Sequence, residues 1–432
     1  MHTRHAYRVY LLTAFAEALF SGMYFTVSTI YRVEVAGLNP LQLVLVGTIM
    51  EASIFIFEIP TGVVADVFSR RLSIIIGWMV MGTGFVLEAL VPRFGVILVA
   101  QALWGFGYTF TSGATEAWIA GEVGEAETGN TFVRGSQAGT VGGFLAVFAS
   151  VGLASLRLNL PMLLAGLFTV GMGAALLLIM PETGFRPTPR AERSSWGQMG
   201  DTLRSGVRLV RVRPALLTIL GIGLFFGLYS EGYDRLADAH FLVNMHFPPL
   251  AGLSGQRNQV VWFGVMALAS MPLTLAATEF VRRRVNLASH RGIAGALSVL
   301  TALLSASVIA FGLAGNFYLA VLLVWCIAVL RTTSSPLYTA WIAQHTDPRV
   351  RATVISLSGQ VDAIGQVIGG PAVGYIGTVR GLRTALVVAG ALLSPALLLF
   401  ARTLRRDGDV MIAAGGDGDA KGAALPVSAT TP

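Results

Sequence analysis

Apolar runs of about 20 residues, the length that carries a helix across a bilayer, return along this chain from end to end. Counted by hydropathy and length there are twelve. Six lie near Val9–Ile30, Pro40–Ala65, Ser73–Val91, Gly95–Ala120, Phe132–Leu153 and Pro161–Met180. Six more lie near Ala215–Phe241, Val260–Val281, Gly292–Leu313, Phe317–Ala343, Ala352–Ile376 and Thr384–Leu404. Charged residues make up only 12% of the 432, where a soluble domain carries about 25%. A soluble chain so poor in charge could not cover its own surface. An all-α integral membrane protein is therefore expected, with 50 glycines to let its helices pack closely. The first run follows Arg4 and Arg8, as in a signal peptide. It is too long for one, contains Glu17 and offers no small-residue cleavage site, so it reads as the first membrane helix. Cys326 is the single cysteine, so no intrachain disulfide can form.

The chain also repeats itself. Ala117-Trp118-Ile119-Ala120 recurs as Ala340-Trp341-Ile342-Ala343, and at the same shift of roughly 223 residues Gln137 recurs as Gln360. Two similar halves side by side in a membrane are the architecture of a secondary transporter. The expected units are an N-terminal six-helix bundle over residues 1–181, a cytoplasmic linker over 182–213, a C-terminal six-helix bundle over 214–404 and a disordered cytoplasmic tail over 405–432. Within the linker, Asp201–Val212 has the pattern of an amphipathic surface helix. With the N-terminus inside, about 22 of the 30 Lys and Arg fall on the cytoplasmic side. About six, namely Arg32, Arg93, Arg157, Arg257, Arg380 and Arg383, fall outside. That imbalance places both termini in the cytoplasm and accounts for the net charge of +7 without nucleic acid as a partner. The preference for Arg over Lys points to a GC-rich bacterial genome, hence a bacterial inner membrane.

The second and third runs are joined by Gly62-Val63-Val64-Ala65-Asp66-Val67-Phe68-Ser69-Arg70-Arg71-Leu72. This resembles the cytoplasmic signature of the major facilitator superfamily, roughly G-x-L-A-D-R-x-G-R-K. Gly62, Ala65, Asp66 and Arg70 match; Arg71 stands for the usual Lys, Ser69 for the second Gly and Val67 for the first basic residue. The resemblance implies twelve helices in two pseudo-symmetric bundles around a central cavity, working by alternating access. It also implies that Asp66, Arg70 and Arg71 form a latch for the outward-facing state, with Asp66 near the positive end of the eleventh helix. Other motifs depart from the pattern. Gln101 stands where the fourth helix often begins with an Arg linked to proton transfer. The fifth helix carries Gly139-Thr140-Val141-Gly142-Gly143 in place of the G-P-x-x-G-G of drug antiporters. A closer copy, Gly370-Pro371-Ala372-Val373-Gly374, falls in the eleventh helix, where it could serve plain packing or rocking.

Ionisable residues inside spans are costly unless paired or facing water, so each is a functional candidate. The acids are Glu17, Glu51, Glu58, Glu88, Glu116, Glu231, Asp234, Asp238, Glu279 and Asp362, against the bases Arg235 and Arg331. Such an excess suits proton coupling, a cationic substrate, or both. Glu231 and Arg235 are four apart and can pair, while Glu231, Asp234 and Asp238 share one helix face. One Arg cannot neutralise three acids, so one should titrate or meet a partner elsewhere. By the resemblance, helices one, four, seven and ten line the cavity. This selects Glu17, Glu116, Glu231, Asp234, Arg235 and Arg331 as candidates for substrate or proton handling. The aromatics Tyr24, Trp104, Tyr108, Trp118, Tyr229, Tyr233, Tyr338 and Trp341 could stack on a ligand, or pack helices.

No phosphate-binding loop, metal-spaced His cluster or serine elbow is present, so neither catalysis nor a cofactor is expected. The expected activity is proton-coupled export of small amphipathic or cationic compounds by a monomer in the lipid bilayer. Uptake or exchange of a small metabolite is the alternative, and a non-transporting sensor with this fold a more remote one.

Overall fold

The computed structural model describes residues 2–185, 187, 214–250, 252–284, 290–346 and 351–404. The Asp201–Val212 segment and the tail over 405–432 lie outside the described residues. Among the described residues the chain forms helical spans and no strand, as a bilayer requires of a backbone that must satisfy its own hydrogen bonds. The first half contributes α1 (His2–Glu34), α2 (Pro40–Val67), α3 (Arg70–Leu90), α4 (Phe94–Val123), α5 (Glu125–Ala154) and α6 (Leu160–Ile179). The second contributes α7 (Pro214–Asn244), α8 (Gly255–Arg284), α9 (His290–Leu313), α10 (Phe317–His345), α11 (Arg351–Arg380) and α12 (Leu382–Leu404). Local chemistry sets several starts. Asn39 and Gln42 form a reciprocal capping box ahead of α2, with Pro40 in its first turn. Ser69 caps α3 and Asn316 caps α10 through their side chains.

Ten of these helices are long and apolar enough to cross a membrane by length and composition. The two that fall outside this measure, α7 and α11, carry polar chemistry in their middles: Glu231, Asp234, Arg235 and Asp238 on one, Gln360, Asp362 and Gln366 on the other.

Contacts between helices repeat from one half to the other. In the first, α1 packs on α5, α3 on α4 and α6, and α2 on α4; in the second, α7 packs on α11, α9 on α10 and α12, and α8 on α10. The duplicated tetrapeptide falls at corresponding places. Trp118 of α4 donates to the Pro181 carbonyl just beyond α6 at 2.7 Å, and Trp341 of α10 packs on Phe400 of α12 at 5.7 Å between ring centres. Both tryptophans are buried in the core rather than lining a ligand site. Equivalent pairs also approach equally closely. A Cβ on Gly142 of α5 would stand 2.4 Å from the Phe15 carbonyl oxygen, and one on Gly365 of α11 2.5 Å from that of Leu224.

The bundles meet through α2 against α11 and α5 against α8. Leu41 N–H donates to Thr378 Oγ1 at 3.0 Å, and Gly264 of α8 lies against Val151 of α5. These contacts lie in the half of the molecule remote from the N-terminus, here called the distal end. The apolar core has the same asymmetry. One cluster runs through both bundles and takes Tyr31, Val44, Ala89 and Leu158 of the first from the distal end. A second, built on Val9, Ile75, Trp118 and Met180, belongs to the first bundle alone.

Candidate functional site

The wall supplied by the first bundle depends on a break in α4. Its helix runs to Thr111 and resumes at Ala114, with Gly113 at φ +70° between the two segments. Only glycine adopts that backbone at little cost. The resumed turn carries Glu116 to the same cavity as Glu17 of α1. That cavity is about 580 Å³, lined also by Tyr10, Trp104 and Tyr108, and a side pocket of about 160 Å³ opens at the break itself. Both carboxylates are exposed, and neither has a hydrogen bond or ion pair among the described residues. Trp104 and Tyr108 stack at 5.4 Å with an interplanar angle of 12°.

The wall from the second bundle is a cavity of about 380 Å³ lined by α7, α10 and α11. Asp234 of α7 and Arg331 of α10 form a two-pronged ion pair there, 39% and 34% exposed. Arg331 also lies over Tyr229 and Tyr233, at 5.8 and 5.7 Å from the ring centres. Asp362 accepts from Gln366 at 2.8 Å. Tyr338 donates to the Ile219 carbonyl and meets Ser358, and Ser334, Ser335 and Thr339 complete a wall rich in hydroxyls.

Between the walls, Arg235 Nε donates to Glu231 Oε1 at 2.9 Å, with the pair 16% and 2% exposed. Two of the three acids of α7 therefore part company: Glu231 keeps Arg235 and Asp234 finds Arg331, while Asp238 has no ion pair among the described residues. Gly370 and Gly374 of α11 lie against Val44 of α2, and Pro371 sits between them inside α11.

The signature loop is bound within its own bundle. Arg70 donates to the Ala117 carbonyl at 2.9 Å and lies over Phe185, and Arg71 donates to the Leu177 carbonyl. Glu182 accepts from Ser69 Oγ at 2.7 Å and from Arg71 N–H at 2.9 Å. Ser69, in the place of the family's glycine, thus caps α3 and holds the start of the linker. Glu122 grips the same segment through the Thr183 and Gly184 amides. Gly62 has open space around it. Asp66 is half-buried and has no bond among the described residues.

Two residues change meaning. Arg32, which sequence places among the outer loop charges, is 3% exposed and pairs with the fully buried Glu88 at 2.8 Å. Tyr24 and Gln101 donate to the same carboxylate at 2.5 and 2.8 Å. Gln101 and Tyr24 are thus parts of a sealed structural network, away from the cavity. Asp362, Gln366, Ser358 and Tyr10, which the sequence does not single out as site residues, line it. Only Asp362 carried a signal, as a charge inside a span.

Two bundles with a repeated contact pattern, a polar cavity in the wall of each and charges held inside the spans define a membrane transporter, not an enzyme. The chain belongs to the Major Facilitator Superfamily, whose profile matches residues 10–359, and it is a secondary transporter. It is 22% identical over 370 residues to the uncharacterized MFS-type transporter YxaM of Bacillus subtilis (strain 168), covering 83% of this chain and 86% of that one. Solved structures share the fold at lower identity. A bacterial homolog of the human lysosomal transporter Spinster, inward-facing and occupied, aligns with a TM-score of 0.71 at 14% identity, over 94% of this chain and 97% of that one. The nucleoside transporter NupG aligns at 0.69 and 12%, over 92% and 98%. A POT family transporter in complex with a thioalcohol-conjugated peptide aligns at 0.67 and 14%, over 94% and 96%.

Proposed function

We propose that this transporter exports small amphipathic cations in exchange for protons, by rocking its two bundles about the central cavity. One observation carries the reading: the charge balance of the cavity. The two arginines of α7 and α10 are spent, Arg331 on Asp234 and Arg235 on Glu231. Among the described residues Glu17 and Glu116 have no ionic partner, and Asp362 has only an amide. A cation entering would be compensated and an anion repelled. The stacked Trp104 and Tyr108 offer an aromatic surface beside those carboxylates. Protons and substrate would compete for the same oxygens, which is the simplest way to couple their opposite movements.

The charge imbalance between loops supports cytoplasmic termini and a bacterial inner membrane, so the distal end would be periplasmic and the state described here open to the cytoplasm. In that state the latch is undone. Asp66, without a bond among the described residues, would meet the start of α11 when the bundles rock, while Arg70 and Arg71 hold α4 and α6. Gly370, Pro371 and Gly374 serve the close contact of α11 with α2. A monomer suffices, since each bundle supplies one wall. A second reading, uptake or exchange of a polar metabolite, is favoured by the hydroxyl-rich wall around Tyr338 and by the nucleoside and peptide transporters among the structural neighbours.

The test is equilibrium binding of tetraphenylphosphonium to the purified full chain. Affinity should fall about tenfold, one charge-assisted contact, in Glu17→Gln or Glu116→Gln. It should also fall as pH is lowered and carboxylates take up protons. Binding indifferent to both substitutions and to pH would sink the export reading.

A further inference from the structure

Arg235 bonds a carboxylate of its own bundle and touches the helix of the other bundle that carries a second. Its Nε holds Glu231 one turn back on α7, while its Nη2 reaches α2 at Met50 Sδ, 4.0 Å away. The next residue of α2 is Glu51, half-buried and without a bonded partner among the described residues. Glu51 lies one turn along the same face of α2 that Gly47 presents to the Glu231–Arg235 pair. The ion pair fits where it does because glycines make the slot. A Cβ on Gly47 of α2 would stand 1.8 Å from Glu231 Oε1 and 2.0 Å from Arg235 Nε, and one on Gly370 of α11 2.8 Å from Glu231 Cγ.

A charge pair in an interface that must close is desolvated at every closure, and apolar packing would serve closure equally well. The arginine therefore needs a purpose beyond holding the bundles together. A guanidinium carries five donors in a fork and can serve carboxylates on two sides; here it serves one, and a second lies on the helix its other arm touches. The slot exists only while α2, α7 and α11 meet at the distal end. Glu51 lies one turn deeper along α2 than Gly47, nearer the middle, where bundles rocking about their centre move least.

We propose that Arg235 is passed between Glu231 and Glu51 as the bundles rock: it pairs with Glu231 while the distal end is closed, and with Glu51 once the slot opens. Each state then leaves a different carboxylate without its arginine, Glu51 in the state described here and Glu231 in the opposite one. The other charges near this pair are already engaged. Asp234 is bound by Arg331 and Asp362 by Gln366. The exchange rests on the rocking of the proposed function and is independent of what is carried.

Electron–electron double resonance on the full chain in nanodiscs tests it. Nitroxides are placed at Val35→Cys and Val379→Cys, exposed positions at the distal end of the two bundles, with Cys326→Ser as background. The expected readout is two distance populations, short for closed and long for open. Glu231→Gln should raise the long-to-short ratio about tenfold, and Glu51→Gln should lower it by about as much, each being the loss of one charge-assisted bond. Glu51→Asp should keep the parent ratio, and in an Arg235→Met background Glu51→Gln should change nothing. A ratio indifferent to Glu51→Gln, or moved equally with and without Arg235, overturns the exchange. One fixed distance in every variant would contradict the rocking itself.

Discussion

Glu88 and Glu17 are both carboxylates inside spans, and their surroundings assign them opposite trades. Glu88 is fully buried and receives Arg32 Nε at 2.8 Å, Tyr24 at 2.5 Å and Gln101 at 2.8 Å. Glu88→Leu removes the acceptor and leaves the buried guanidinium of Arg32 with no counter-charge, at a cost of about 3–5 kcal/mol. For a bundle of this size each kcal/mol lowers the melting temperature by about 2–4 °C, so a fall of about 6–20 °C is expected. Arg32→Leu should fall as far. The double variant Arg32→Leu/Glu88→Leu should recover most of the loss, because an apolar pair needs no compensation. Glu17→Gln, in an open cavity, should stay within about 2 °C. The assay is fluorescence-detected size exclusion after heating, in one detergent throughout. Glu88→Leu melting with the parent, or the double variant melting as low as the single ones, would refute the assignment of this network to structure.

Three further outcomes are expected. Gly47→Ala drives a methyl into the Glu231–Arg235 pair, so the distal nitroxide distance should move to its long population; a distance held at the short value would show that the slot does not govern closure. Arg331→Met uncovers Asp234 and should tighten tetraphenylphosphonium binding several-fold, whereas lost binding would make Arg331 a ligand for an anionic group. Glu182→Ala frees the Ser69 hydroxyl and the Arg71 amide and should cost about 1–3 kcal/mol, with faster amide exchange over residues 181–185; unaltered exchange there would mean that Glu122, Trp118 and Arg70 anchor the linker without it.

The spans were legible because hydropathy is additive along a chain, and every run in the sequence has its helix in the fold. The halves were legible from a single tetrapeptide whose tryptophans occupy matching places on α4 and α10. What escaped the sequence was pairing at long range. Asp234 and Arg331 are 97 residues apart, and nothing local on α7 says that Asp234 leaves the face it shares with Glu231. Arg32 sits at the end of its run, where a loop charge and a buried one look alike until Glu88, 56 residues on, is placed beside it. The break in α4 was visible only as Ser112-Gly113 inside an apolar run, too weak a signal to interrupt a span. Gly47 and Gly370 carried no local mark as a slot, since their meaning lies in what the opposite bundle places there.

The most direct test of cation–proton exchange uses proteoliposomes with a trapped pH dye and an imposed tetraphenylphosphonium gradient. The account predicts proton movement opposite to the cation, lost in Glu17→Gln or Glu116→Gln. Cation flux with no proton movement, unaffected by either substitution, would contradict it and return these carboxylates to the role of gate or substrate ligands.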